Sequence, residues 1–135
     1  MYTFSASPYS RNVFKITPTL VSNLECELLE ISKDFIFVKD FSGTDTQHAR
    51  HFDVVDEYRK WSGHTGVTTN PWKRDSVVKL KLPQKNKRNC YKDGYVALPH
   101  DLVGRRVSMT IYLEDIWAFK DVIGLTWKIK EMHTK

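Results

Sequence analysis

Cysteine, proline and glycine are scarce in this chain: 2, 5 and 6 of its 135 residues. With no CxxC pair a structural zinc site is not expected. No internal repeat or low-complexity tract is present either. No run of about 18 apolar residues is present, so no membrane-spanning helix is expected. The opening Met1-Tyr2-Thr3-Phe4-Ser5 lacks a basic region followed by an apolar run, so no signal peptide is expected. Free thiols at Cys26 and Cys90, in a reducing intracellular compartment, follow as the expectation. Motifs are also lacking: there is no GxSxG, Walker A loop, GxGxxG or HExxH.

What is present is a globular composition, 41% hydrophobic and 27% charged, with 13% aromatic residues. Residues 1–135 fit one domain, with a frayed tail expected at 132–135. A domain of this size buries roughly two thirds of its unfolded surface. The hydrophobic period is mostly two. Strands are expected at Val13–Thr17 (stopped by Pro18), Leu24–Ser32, Phe35–Phe41, Ser76–Leu82, Gly94–Leu98, Arg105–Leu113 and Leu125–Glu131. Lys33-Asp34 suits a tight hairpin turn, and the slip at Leu28-Leu29 suggests a bulge. Thr44 and Gln47 have capping-box spacing, an apolar stripe runs from Phe52 to Trp61, and Gly63 sits where a C-terminal glycine belongs. One main helix is therefore expected over about residues 45–62. A second, short one is read over Glu114–Val122, and Gln84–Asn89 reads as a polar, basic loop. The fold class is α+β and β-rich: a small antiparallel sheet or barrel-like domain, with a seven-stranded sandwich as the other arrangement.

Charge is unevenly placed. Residues 1–70 hold 7 Lys and Arg against 9 Asp and Glu; residues 71–135 hold 14 against 7. Alternation sorts the basic strands into faces. Val78, Leu80 and Leu82 point one way and Val77, Lys79 and Lys81 the other. Val107, Met109, Ile111 and Leu113 point inward, while Arg106, Ser108, Thr110 and Tyr112 point outward. Leu125, Trp127 and Ile129 point inward, and Thr126, Lys128 and Lys130 outward. If the three strands are neighbours, they form a positive platform bearing hydroxyls and one tyrosine.

A one-signed sheet face is costly unless an anion lies on it. Lys79, Lys81, Lys85, Lys87, Arg88, Arg106, Lys128 and Lys130 would meet phosphates, and Ser108 and Thr110 would donate to them. Tyr112, with Tyr91 and Tyr95, would stack on unpaired bases. The candidate helix mixes acids with bases and makes a poor recognition helix. The sequence thus favours a small non-enzymatic nucleic-acid-binding protein, single-stranded DNA or RNA preferred, with no cofactor and no metal. The competing reading is an interaction protein, an inhibitor or a viral or mobile-element protein, docking to an acidic protein surface. The third is a small nuclease, with His48 and His51 as metal ligands, His64 as a general base, or Glu25, Glu27 and Glu30 as paired carboxylates. Trp61 and Trp127 are expected in the core, and Trp72 is the tryptophan expected nearest solvent.

Overall fold

The computed structural model describes residues 1–8, 10–32, 35–41, 44–71, 77–82, 84–85, 88–89 and 103–134; for 44–48, 84–85, 88–89 and 133–134 it describes the backbone alone. The expected strand at Gly94–Leu98 and the residues Trp72, Lys87, Cys90, Tyr91 and Tyr95 lie outside the described residues. The elements are β1 (Thr3–Ser7), β2 (Ser10–Ile31), β3 (Phe35–Asp40), α1 (Thr44–Ser62), β4 (Val67–Thr68), β5 (Val77–Lys81), β6 (Gln84–Lys85), β7 (Arg88–Asn89), β8 (Arg106–Phe119), β9 (Val122–Leu125) and β10 (Lys128–Thr134).

Five strands close a barrel in the order β2-β3-β5-β10-β8 and back to β2. Its pairings are antiparallel except β5 with β10, which are parallel through Lys81 and Lys128. Three further strands extend the sheet: β1 on the outer side of β2, then β9 on β8 and β4 on β9. Alternation explains the wall. Leu20, Leu24, Cys26 and Leu28 of β2 are buried with Ile36 and Val38 of β3, and Val78 and Leu80 of β5. Val107, Met109, Ile111 and Leu113 of β8 and Ile129 of β10 complete the interior, and Leu125 and Trp127 are buried as the alternation predicts. The register slips between Leu28 and Glu30, where the sequence reads a bulge. The backbone N–H of Ser32 donates to the Phe35 carbonyl at 2.8 Å, joining the end of β2 to the start of β3, while the turn read at Lys33-Asp34 lies outside the described residues.

Several expectations are corrected. Pro18 does not end the first strand. β2 runs through it, and the proline falls where the β2–β8 ladder shifts between Lys15 and Leu20, a place that needs no ladder N–H. Glu114–Val122 is not helical. β8 continues to Phe119, turns at Lys120-Asp121 and returns as β9. Buried residues on β8 switch phase from Leu113 to Ile116, a spacing of three that imitates a helix while marking an irregular strand. The expected strand over Leu125–Glu131 is two, β9 and β10. Gln84–Asn89 is not a plain loop: Gln84 pairs with Asn89 and Lys85 with Arg88 in a small hairpin. The tail is not frayed at its start, since β10 reaches Thr134 and Met132 is buried.

The helix begins one residue before the expected span and ends at Ser62. Gly63 follows with φ +77°, and its N–H donates to the Arg59 carbonyl at 2.8 Å. His51, Val54, Val55 and Tyr58 form the buried stripe. Tyr58 and Trp61 meet Phe4 of β1 and Phe14 of β2 at ring separations of 5.4–5.7 Å. Arg50 reaches the Val21 carbonyl at 3.0 Å and the Ser22 hydroxyl at 2.6 Å. Trp61 is not core: it is 53% exposed, lying over this aromatic cluster rather than inside it.

Candidate nucleic-acid interface

The three basic strands are neighbours, in the order β5-β10-β8. Lys81, Lys128 and Tyr112 form one row across them. The surface is nevertheless not of one sign. Lys128 Nζ lies 3.4 Å from Glu114 Oε1 and 3.9 Å from Asp115 Oδ2, two residues that the helical reading had removed from the strand. Burial and the Glu114 carboxylate hold Asp115 above its ordinary range, against the pull of Lys128 and Lys15. Burial, then Glu114 and Asp115, raise the Tyr112 phenol as well. Lys130 occupies the irregularity between Ile129 and Glu131, so exposed Glu131 stands beside it. Arg106 and Ser108 are opposite Glu27 and Glu25 of β2, and Thr110 bonds Asn23 at 3.0 Å. Tyr112 thus sits in an acidic neighbourhood, a poor place for a base with its phosphate.

One cation that faces a ring, Lys120 at Phe119, lies at the β8–β9 turn; the others gather on the rings of the β3 segment, from β3 itself, β5 and the start of β8. Ile36, Val38 and Asp40 point inward, so Phe35, Phe37, Lys39 and Phe41 share the outer face. On β5, Lys81 pairs with Phe35, Lys79 with Phe37 and Val77 with Lys39. Lys79 Nζ lies 4.1 Å from the Phe35 ring centroid. Phe41, 45% exposed, has the Arg106 guanidinium 4.4 Å from its centroid and Lys39 Nζ at 5.9 Å. Such contacts are worth about 0.5–1 kcal/mol at exposed sites. They also hold flat rings and positive charge on one surface. The β2 flank carries the opposite sign. Glu27 is opposite Lys39, and the bulge turns Glu30 outward opposite Phe37. Glu25 precedes them on the same face, its carbonyl accepting the Phe41 N–H at 2.7 Å.

The face therefore has a basic lane on β5, an aromatic lane on β3 and an acidic lane on β2. The sequence reading named Lys79, Lys81 and Arg106 of this group and missed Phe35, Phe37, Lys39 and Phe41. The signal was available in the alternation of FIFVKDF, whose outer positions are three rings and a lysine. The hairpin strands β6 and β7, bearing Lys85 and Arg88, follow β5 in the chain from its Lys81 end, and Lys81 is opposite Phe35.

Of the histidines, His51 and His64 have described side chains, and each is engaged in structural hydrogen bonds. His51 is neither solvent-facing nor a metal ligand. It is fully buried, its Nδ1 accepting the Trp127 indole N–H at 3.1 Å and its Nε2 lying 3.1 Å from the Thr69 carbonyl. His64 Nδ1 accepts the Gly66 N–H at 3.0 Å and Nε2 lies 2.9 Å from the Lys120 carbonyl, leaving no lone pair for general-base work. Among the described residues no group of three His, Cys, Asp or Glu is placed to hold a metal ion, and no helix is long and apolar enough to cross a membrane. Cys26 is a free thiol inside the barrel. No family model, curated protein or solved structure matches the chain.

Proposed function

We propose that this protein is a non-enzymatic binder of single-stranded nucleic acid, holding the strand on the outer face of β3 and β5. The observation that carries the reading is the set of cations seated at outward phenylalanine rings: Lys79 at Phe35, and Arg106 and Lys39 at Phe41. A positive groove with stacking rings is what sequence-tolerant single-strand binding requires. In five-stranded barrels that bind oligonucleotides the second and third strands carry the site, and β3 and β5 are second and third here. The acidic lane of Glu25, Glu27 and Glu30 favours one strand over two. A duplex broad enough to cover β3 would bring its second backbone over these carboxylates.

The test is a titration of a labelled thymidine oligonucleotide of roughly twenty residues, longer than most single-barrel sites, at several salt concentrations. Affinity is expected to fall with a log–log slope of roughly −0.7 per contacted phosphate. Changing Lys79 and Lys81 together to Glu should make the slope shallower by about 1.4, the share of two phosphates. Circular dichroism should stay native, since both side chains point outward. Binding no tighter than that of a neutral protein at low salt would end this reading and give the basic lane to an acidic protein partner.

A further inference from the structure

The outward residues of β3 are not evenly aromatic, and their order carries information about the ligand. Phe35, Phe37, Lys39 and Phe41 succeed one another at every second residue, about 7 Å apart. That step matches the reach of one extended nucleotide. The first two positions are rings with a lysine opposite on β5, Lys81 for Phe35 and Lys79 for Phe37. The third is Lys39, whose β5 neighbour is Val77, so neither strand offers a ring there. The fourth, one residue past the end of β3, is Phe41, with the Arg106 guanidinium over one face of its ring at 4.4 Å.

Resting on the single-strand reading above, we infer that the site accepts about four nucleotides along β3, with bases stacked at the two positions of one end and at the far position of the other. The one interior position over Lys39 is left unstacked. At the doubly stacked end the phosphates lie toward β5, because the β2 side offers Glu30 opposite Phe37 and Glu27 opposite Lys39. Base identity is unread throughout, since rings and ammonium groups contact π faces and phosphates. The strand's polarity decides which interior nucleotide falls on Lys39.

An abasic scan of a labelled thymidine tetranucleotide tests this, with the full chain and the longer oligonucleotide run in parallel. Removing the base at either end, or at one interior position, should lower affinity about fivefold or more. Removing it at the other interior position should change affinity by less than about twofold. In the Lys39→Phe variant the tolerated position should become as sensitive as the rest. Equal losses at both interior positions, or affinity that climbs with length past about four nucleotides faster than the added registers explain, overturn the inference while binding of the longer oligonucleotide leaves the function standing. Failure of the longer oligonucleotide to bind overturns both.

Discussion

Trp127 illustrates how one side chain joins parts of the fold that no local pattern connects. Its inward orientation follows from alternation with Leu125 and Ile129. Its partner does not, because His51 is 76 residues away on the helix. With Nδ1 accepting from the indole, the His51 proton sits on Nε2, facing the Thr69 carbonyl. Trp127→Phe removes that donor from a buried acceptor. It should cost about 1–3 kcal/mol in urea denaturation, without displacing the residues of the β3 face. Cys26 makes a second case. Burial pushes its thiol up to about 12, with Asp40 and then Glu25 adding to the rise. A thiol raised in the fold stabilises it fully below its unfolded value, and that contribution is lost as pH rises toward 12. Stability should therefore decline between about pH 9 and 12, and Cys26→Ala should flatten that limb of the profile. Native Cys26 should resist thiol reagents that modify it in urea.

At the scale of the element, the sequence is legible wherever one face is buried and the other wet. α1, the bulge at Leu28 and the inward sets of β5 and β8 all belong to this class. Reading fails where a strand changes phase. In β8 the pair Glu114-Asp115 breaks the alternation, and Leu113, Ile116 and Phe119 then imitate helical spacing. Proline misleads in a similar way, because the irregularity between Lys15 and Leu20 in the β2–β8 ladder absorbs Pro18. The turn into β9 works through a close approach at Gly124, which is opposite Trp117; a Cβ on Gly124 would overlap the Trp117 indole. Gly124→Ala should expel the ring from its seat. A loss of about 1–3 kcal/mol and a changed tryptophan emission spectrum are expected, measured by thermal unfolding and fluorescence.

The whole molecule is where sequence reading was weakest for function. Alternation assigns faces to each strand but does not say which strands are neighbours. It therefore did not place Glu114 against Lys128, nor the acids of β2 beside the rings of β3. Charge counted along the chain suggested one broad basic platform. Charge counted around the barrel gives a narrow basic lane with an acidic border, and the surface is a different object. The same closure has a consequence in time. β2 is among the first strands synthesised, yet it seals the barrel by pairing with β8 across 79 to 104 residues of chain. At about 5–20 residues per second, the ribosome takes on the order of ten seconds to supply that partner. Until then β1, β2, β3 and β5 can form only an open sheet, with the β8 side of β2 unpaired and its leucine face lacking the β8 wall. Such a nascent chain depends on being shielded during translation, and the distant pairing makes closure the slow step of its maturation.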